Sequence, residues 1–354
     1  MEGNTVMKFV VMADLHLKMW NDNEILSDGT PRKLQEIINT VIQACEYCKK
    51  NDIKYIFIAG DINDTKDNFS VRSFVLLRKV IQKYNDLNWV ILHGNHDLAS
   101  NVLSEIKYSA IELFDSIDNC KLILEPEILE FEDDIEILCM PYCSDISSRI
   151  KEFEQKLSAG KKKILIGHFG LDEAVLSSGV SVRSEVKASD LGSFDLVILG
   201  HYHKPQEVTK NILYVGSPIQ IRRDEVNEVK RFICVDTNNI EEIRSINTEG
   251  YRRFLEISVN TEEDLEKVKE IAKDSNINMK YVIVKLNMKV TKDQMMLLEN
   301  CQLIDMTDID INNRGISLSM SLDDQLKKYL QYKEIHEEDW DFYLQTAKEA
   351  LESV

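Results

Sequence analysis

Residues 8–16 read KFVVMADLH, a short apolar run that ends in a polar Asp-x-His cluster. Apolar runs of this length, bounded by polar residues, are typical of strands buried on both faces. Similar runs at residues 54–58, 89–92, 163–166 and 196–199 also end in polar clusters. Helical spacing of apolar residues over Arg32–Lys50 and Val71–Tyr84 separates the first three runs. Strands that alternate with helices predict an α/β layered domain.

The polar clusters are the strongest chemical signal in the sequence. In an open α/β sheet the carboxyl ends of the strands form the ligand crevice, so we expect the clusters to converge at one edge. They hold five of the seven histidines, and in chain order they are Asp14-x-His16, Gly60-Asp61-x-x-Asp64, Gly94-Asn95-His96-Asp97, Gly167-His168 and Gly200-His201-x-His203.

The residue types in these clusters indicate a metal centre. Asp, Asn and His supply oxygen and nitrogen ligands without any thiolate, a set that suits Mn²⁺, Fe²⁺ or Zn²⁺ in a catalytic role. The ligands are too many for one ion and enough for two that share a carboxylate. Two such ions would clamp a phosphate and activate water. The glycines before Asp61, Asn95, His168 and His201 are expected to let the backbone turn sharply and to leave room for the ions, which a larger residue would obstruct.

The ordered motifs resemble those of the calcineurin-like metallophosphoesterase superfamily, over about residues 8–236. The resemblance implies a β-sandwich flanked by helices, with two metal ions in its site. It implies that His96 orients the phosphate or protonates the leaving oxygen, and that Asp97 sets the His96 tautomer. We expect Asp64 to support a ligand through a hydrogen bond; the alternative is that Asp64 is itself a ligand. The implied ligands are Asp14, His16, Asp61 and His203 for the first ion, and Asp61, Asn95, His168 and His201 for the second.

A narrower resemblance concerns the stretch after the last cluster. Leu213–Pro218, Arg222–Glu225 and Lys230–Phe232 are similar to the nuclease subunits of the meiotic-recombination-eleven, SbcD and phage recombination type. The Arg-Gly that follows Gly-Asp-x-x-Asp in Ser/Thr protein phosphatases is absent here. Lys18 replaces the usual glycine after Asp-x-His-Leu. This resemblance implies a homodimeric DNA nuclease with two divalent ions, of which Mn²⁺ is favoured over Mg²⁺, Fe²⁺ or Zn²⁺, and an ABC-type coiled-coil ATPase as partner.

The sequence pattern changes after residue 236, where a Glu- and Asn-rich connector runs to Gly250. We expect a phosphoesterase domain over 7–240, a small α+β capping domain over 250–316, and a C-terminal helical segment over 320–354. Thr261 and Asp264 have the spacing of a helix capping box. By the resemblance, the apolar stripes of 320–354 would bind the ATPase; the alternative is that they pack on their own domain.

Net charge opposes simple electrostatic binding of nucleic acid, because 43 Lys and Arg against 61 Asp and Glu give a formal charge of −18. DNA would then have to be positioned by contacts with individual Lys and Arg side chains; the alternative is that these side chains are solvated surface charges. The candidate DNA contacts are Lys204, Arg222, Arg223, Arg252 and Arg253.

Other features exclude some classes of protein. No apolar run is long enough for a membrane span and the N-terminus lacks a signal-peptide pattern, so we expect a cytoplasmic chain. Cys45 and Cys48 form an isolated CxxC on a predicted helix, which indicates core thiols. Two other functions remain open at this point: a stand-alone phosphodiesterase for a small nucleotide, and a scaffold with a vestigial site.

Overall fold

The structure, a computed structural model, describes residues 7–352 apart from 23, 67, 69, 101–107, 132–134, 227, 274–279, 297, 299–300, 306–321, 334 and 337–339. The chain divides into two compact units. One comprises Met1–Leu255 with Asn278–Tyr281, and the other comprises Glu256–Ile277 with Val282–Val354.

The first unit contains two six-stranded sheets. The first sheet has the order β12 (Arg244–Asn247), β11 (Arg231–Asp236), β1 (Lys8–Met12), β2 (Tyr55–Ala59), β3 (Asn88–Leu92) and β4 (Cys120–Ile123). The second has the order β5 (Glu127–Phe131), β6 (Ile135–Met140), β7 (Lys162–His168), β8 (Leu196–Gly200), β10 (Ile212–Tyr214) and β9 (Gln206–Thr209). Its longer helices are α1 (Arg32–Lys50), α2 (Val71–Lys83) and α3 (Ile146–Glu154).

The packing of strand β1 explains why residues 9–12 are all apolar. Phe9 and Val11 pack in the core between the two sheets, whereas Val10 and Met12 pack on the opposite face with helices α1 and α2. Because successive side chains point to opposite faces, a strand with both faces covered needs apolar residues at every position. A third core packs α3 against the outer face of the second sheet. The prediction of a layered α/β sandwich flanked by helices is therefore confirmed.

Helix α1 buries the apolar stripe that the spacing predicts. It begins directly after Pro31, and residues such as Leu34, Ile37 and Val41 are fully buried against the first sheet. Cys45 and Cys48 are also fully buried in this core, which confirms them as core thiols.

The sheet topology gives the predicted clusters a common edge. Strands β1, β2 and β3 are parallel neighbours in one sheet, and β7 and β8 are parallel neighbours in the other. Every predicted cluster lies at the carboxyl end of one of these five strands or just beyond it. Gly167-His168 and Gly200 form the last residues of β7 and β8.

The connector expected between residues 236 and 250 is not wholly irregular, so this expectation was wrong in part. Arg244–Asn247 form β12, which pairs antiparallel with β11. The segment lacks an apolar run because three of the four side chains of β12 are exposed and only Ile246 packs against the core.

The second unit contains most of a three-stranded sheet of order β13 (Arg253–Val259), β14 (Lys280–Leu286) and β15 (Gln302–Asp305), with β14 and β15 parallel. Helix α4 (Glu262–Lys273) starts with the predicted capping box, since Thr261 and Asp264 exchange hydrogen bonds between side chain and main-chain amide. Helices α5 (Lys292–Met296), α6 (Leu322–Tyr332) and α7 (Trp340–Glu352) complete it. The predicted boundary at residues 316–320 lies outside the described residues. None of the helices described is both long and apolar enough to span a bilayer.

Candidate metal centre

The loops that follow the five strands are held together by main-chain hydrogen bonds. The amide of Asp14 donates to the Gly60 carbonyl at 3.1 Å, and the amide of His16 donates to the Asp61 carbonyl at 3.0 Å. The amide of His201 donates to the carboxylate of Asp14 at 2.8 Å. These bonds bring the ends of β1, β2 and β8 to one place, as the sequence predicts.

Four of the predicted ligand residues have left-handed backbone conformations. The φ angles are 54° at Asp14, 48° at His16, 53° at Asp61 and 99° at His201. This conformation costs a non-glycine residue on the order of 1–3 kcal/mol, and such strain collects at functional sites, where the surrounding fold enforces it. All four belong to the clusters after β1, β2 and β8; Asp52 and Asp145, outside the clusters, also have positive φ angles.

One group of ligand atoms surrounds His16. Its Nε2 atom lies 2.9 Å from Nε2 of His203 and 3.6 Å from Oδ2 of Asp61. Two nitrogen ligands at right angles on one ion, each with a bond of about 2.1 Å, would be about 3 Å apart. The separation of the two histidines therefore fits a shared cation.

A second group lies on the other side of Asp61. His168 Nε2 is 3.3 Å from Asp61 Oδ2 and 3.1 Å from Asn95 Oδ1. Asn95 Oδ1 is in turn 3.0 Å from His201 Nδ1. Because His168 Nδ1 donates to the Ala59 carbonyl at 2.8 Å, Nε2 is the nitrogen that faces the group. Asp61 Oδ2 is thus common to both groups.

Asp14 supplies a further donor atom. Its Oδ1 accepts the His201 amide, while Oδ2 is buried without a hydrogen-bond partner. A buried carboxylate oxygen without a partner is costly in a folded protein. A cation beside it would remove that cost, so the donor set fits divalent metal ions rather than a thiolate-type zinc site.

Two glycines make the close approach of the ligands feasible. A Cβ atom at Gly94 would lie 2.1 Å from Asp61 Oδ1, and one at Gly60, whose φ is +84°, would lie 2.2 Å from His168 Nδ1. The expectation that the glycines leave room for the ions needs correction, because these positions make room for ligand side chains.

The clustered charges shift the ionisation of these groups. Burial raises the pKa of Asp14 to about 6. Burial also raises the pKa of Asp61, but His168 and His16 outweigh it and hold that pKa well below its usual range. Burial lowers the pKa of His168, but the Asp61 and Asp14 carboxylates outweigh it and raise that pKa to about 9. Asp61 is therefore ionised at the centre of the site.

His96 lies at the rim of the first group. Its Nδ1 donates to the main-chain carbonyl of Asp64 at 2.6 Å, and its amide donates to Asp61 Oδ1 at 2.8 Å. Ligand atoms of His96, His16 and Asp61 all lie within 4.8 Å of one another. Distance alone therefore leaves two roles for His96, as a ligand or as a group that acts on the substrate.

The expectation that Asp97 sets the tautomer of His96 is wrong. The Asp97 carboxylate accepts main-chain amides from Gly94 at 2.8 Å, Asn63 at 2.7 Å and Ile62 at 3.3 Å. The tautomer of His96 follows instead from the Asp64 carbonyl, because the loop after β2 passes closer to the ring. Asp97 joins the loops after β2 and β3.

Asp64 lies beside His16, as expected of a residue that supports a ligand. Its Oδ1 is 3.5 Å from His16 Nδ1, and its Oδ2 accepts a hydrogen bond from Lys18 Nζ at 2.6 Å. Burial raises the pKa of Asp64, but His16 and Lys18 outweigh it and lower that pKa to about 2. Lys18, which replaces the glycine usual at its position, thus pairs with Asp64.

Sequence reasoning missed Glu225 and Lys230. Glu225 Oε1 accepts from His203 Nδ1 at 2.9 Å, and its Oε2 lies 2.7 Å from the fully buried Lys230 Nζ. Burial raises the pKa of Glu225, but His203 and Lys230 outweigh it and lower that pKa to about 2. Both residues fall inside the stretch that carried the narrower resemblance, but their spacing alone does not reveal a contact with His203.

The candidate DNA contacts differ in exposure. Arg222 and Arg253 are exposed, and Lys204 and Arg223 are half-buried. Arg252 is only 5% exposed, and its guanidinium pairs with Glu36 at 2.9 Å and with Asp22. The expectation that Arg252 contacts DNA is therefore wrong, because a buried pair of carboxylates neutralises it.

The chain resembles known proteins in sequence and in fold. A family model described as Calcineurin-like phosphoesterase matches residues 7–205. Exonuclease subunit 1 of Enterobacteria phage T4 is 27% identical over 253 residues, which is 70% of either chain. The SbcD nuclease subunit of Staphylococcus saprophyticus subsp. saprophyticus is 25% identical over 264 residues, which is 66% of either chain. A solved dimetal phosphatase from Danio rerio is 10% identical with a TM-score of 0.44, and the match covers 65% of this chain and 92% of that one.

Proposed function

The chain belongs to the calcineurin-like phosphoesterase family and is a metal-dependent phosphoesterase, and on that premise we propose that it is a DNA nuclease with two metal ions. The observation that carries this proposal is Asp61 Oδ2, which lies 3.6 Å from His16 Nε2 on one side and 3.3 Å from His168 Nε2 on the other. One carboxylate between two histidine groups is the arrangement that a dinuclear site requires.

The proposed ligands follow these two groups. Two divalent ions, with Mn²⁺ as the first choice and Mg²⁺, Fe²⁺ or Zn²⁺ as alternatives, would activate water and stabilise charge on the phosphoryl oxygens. We assign Asp14, His16, Asp61 and His203 to the first ion, and Asp61, Asn95, His168 and His201 to the second.

His96 is proposed to act on the substrate rather than on a metal. Its Nδ1 proton is committed to the Asp64 carbonyl, so Nε2 is the nitrogen available to the substrate. Nε2 donates to a phosphate or protonates a leaving oxygen when the ring carries its second proton, as the imidazolium. Asp61 Oδ1 accepts the His96 amide and so fixes the main chain beside the ring. Asp97 contributes indirectly, by holding the loops that carry Asp61 and Asn95.

The choice of DNA as substrate rests on the two relatives, whose names describe an exonuclease subunit and a nuclease subunit. A formal charge of −18 makes binding by the whole surface unfavourable, so phosphate contacts would be local. Arg222 is exposed and lies three residues from Glu225, which contacts His203. Arg222, Arg223, Lys204 and Arg253 remain the proposed phosphate contacts.

A coiled-coil ATPase of the ABC type is the proposed partner, and the protein is proposed to work as a homodimer. Both relatives are named as subunits, which supports an assembly. Within helix α7, Phe342 is 69% exposed and Tyr343 is 43% exposed. Exposed aromatic residues on a helix suit docking of a partner helix or groove.

The substrate is tested by comparing linear double-stranded and single-stranded DNA with a small chromogenic diester, each with Mn²⁺. We expect Mn²⁺-dependent degradation of DNA. Brisk hydrolysis of the diester without DNA cleavage, also in the presence of a purified coiled-coil ATPase, would instead support a stand-alone phosphodiesterase.

The partner is tested in the full-length chain with Phe342→Asp. We expect this variant to lose binding to the purified ATPase while it hydrolyses the small diester at the wild-type rate. Val71→Asp, on the exposed side of α2, is the matched control, because Val71 is 70% exposed and lies outside the proposed docking helices. Retained ATPase binding by Phe342→Asp would contradict the assignment of the partner site to α7.

A further inference from the structure

Lys230 is an unusual residue for a protein interior, because its side chain has no solvent exposure. Its ammonium group lies 2.7 Å from Glu225 Oε2, donates to the His203 carbonyl at 2.7 Å, and pairs with Glu228. A buried ammonium group is tolerated only when it is paired and hydrogen-bonded in this way. The lysine therefore fixes two carboxylates beside the last metal-ligand motif.

Glu225 receives more hydrogen bonds than a surface glutamate would. Its Oε2 accepts the Ile221 amide at 2.9 Å and lies 3.4 Å from Ser217 Oγ, in addition to Lys230. Its Oε1 accepts the Arg222 amide at 3.2 Å and His203 Nδ1 at 2.9 Å. The turn over residues 217–225 thus holds the carboxylate in one orientation, with one oxygen directed at the histidine.

The contact with Glu225 determines which nitrogen of His203 is protonated. A carboxylate surrounded by donors can only accept, so the ring proton lies on Nδ1 and the lone pair on Nε2. That lone pair faces Nε2 of His16 at 2.9 Å, where the first ion is assigned. A carboxylate that accepts from the far nitrogen of a metal-bound histidine orients the ring and strengthens it as a ligand.

We propose that Glu225, held in place by Lys230, is the positioning residue that presents His203 Nε2 to the first metal ion. This inference rests on the dinuclear site of the proposed function. It assigns a role in the metal site to the Arg222–Glu225 turn, which the sequence analysis linked to the narrower resemblance and to two candidate DNA contacts. The ligands assigned to the second ion do not include His203, so this role of Glu225 concerns the first ion.

Glu228 provides a matched control for the test. It pairs with the same ammonium group of Lys230, and among the described residues no hydrogen bond joins its side chain to the His203 ring. Glu225→Gln and Glu228→Gln each remove one negative charge next to Lys230, but only the first changes the group that faces the histidine. Mn²⁺ binding to the full-length chain is measured by titration calorimetry, with circular dichroism and thermal unfolding as checks of folding.

For Glu225→Gln we expect one of two Mn²⁺ ions to bind about 10–100-fold more weakly, as is typical when the partner of a metal-bound histidine is lost. Glu228→Gln should retain both affinities. Glu225→Asp, which keeps the charge for Lys230 but withdraws the oxygen from His203, should fold like the wild type and also bind one ion weakly. In a His203→Ala background, where only the second ion should bind, Glu225→Gln should not weaken the binding of that remaining ion.

Three results would overturn the proposal: wild-type Mn²⁺ affinity in Glu225→Gln, equal losses in Glu225→Gln and Glu228→Gln, or an additive loss in the His203→Ala background. Failure of the dinuclear site itself is recognised separately, because the wild-type chain would then bind fewer than two Mn²⁺ ions. Failure of the nuclease assignment would leave the titration unchanged.

Discussion

His16 and His203 are 187 residues apart in the chain, yet their Nε2 atoms lie 2.9 Å from each other. Both far nitrogens face carboxylates, with His16 Nδ1 3.5 Å from Asp64 and His203 Nδ1 2.9 Å from Glu225. Each carboxylate also pairs with a lysine, Lys18 in one case and Lys230 in the other. Two histidines, each in contact with a carboxylate that pairs with a lysine, therefore meet at the position assigned to the first ion.

Loss of metal should depend on which ligand is removed. His203→Ala removes a ligand of the first group only, so we expect it to bind one Mn²⁺ ion. Asp61→Ala removes the oxygen common to both groups, so we expect it to bind neither ion tightly. Metal content after desalting, measured by inductively coupled plasma mass spectrometry, distinguishes the two. Wild-type metal content in Asp61→Ala would contradict the shared carboxylate.

His96→Ala separates catalysis from metal binding. We expect both Mn²⁺ ions to remain bound while turnover falls by about 10²–10⁴-fold, the usual contribution of a positioned acid or base. Steady-state hydrolysis and Mn²⁺ titration are measured on the same preparation. If His96→Ala lost one ion, His96 would be a ligand, which its distance from His16 and Asp61 also allows.

Arg252 is expected to stabilise the fold without touching DNA. Arg252→Met removes the cation from the buried Asp22 carboxylate and leaves Glu36 with Arg32 alone, at 3.2 Å, which should reduce the free energy of unfolding by about 3–5 kcal/mol. Urea unfolding measures the loss, and the exposed Arg253→Met serves as the control, with a small effect. A DNA affinity that fell in Arg252→Met while its stability stayed at the wild-type value would reverse this assignment.

Lys33 should make stability depend on pH in the alkaline range. Burial lowers the pKa of Lys33 from 10.5 to about 8 in the folded state. Between these values the unfolded chain binds more protons than the folded chain, so the contribution of Lys33 to stability rises with pH. The gain is on the order of 3 kcal/mol, because each pKa unit corresponds to about 1.4 kcal/mol.

The measurement is the difference in unfolding free energy between the wild type and Lys33→Met, from urea unfolding at several pH values from about 7.5 to 10, the range set by these pKa values. We expect this difference to shift in favour of the wild type as the pH rises. Lys50→Met, at the exposed end of α1, should show a difference that does not change with pH. A flat profile for Lys33→Met would mean that Lys33 is protonated throughout in the folded chain.

The sequence allowed the strands and the positions of the polar clusters to be predicted because both are local patterns. Strand β1 begins at Lys8 and ends at Met12, as its apolar run indicates, and Asp14 and His16 follow directly. The convergence of distant clusters also followed, because parallel strands place their carboxyl ends at one edge.

Contacts that depend on packing between distant segments were not predictable in this way. Arginine is usually a surface residue, but Arg252 is buried here and its guanidinium donates to Asp22. The His96 ring is hydrogen-bonded to a main-chain carbonyl. Every residue has such a carbonyl, so the residue types in the sequence do not reveal this contact. The separation of Glu225 from His203 along the chain does not indicate their contact, because the intervening turn decides it.

The most direct test of the central claim is an anomalous difference map from crystals of the full-length protein soaked in Mn²⁺. We predict two peaks about 3.5–4 Å apart, with Asp61 Oδ2 between them, His16 and His203 beside one, and His168 and His201 beside the other. A single peak, or two peaks that do not share Asp61, would contradict the dinuclear site on which the proposed nuclease mechanism depends.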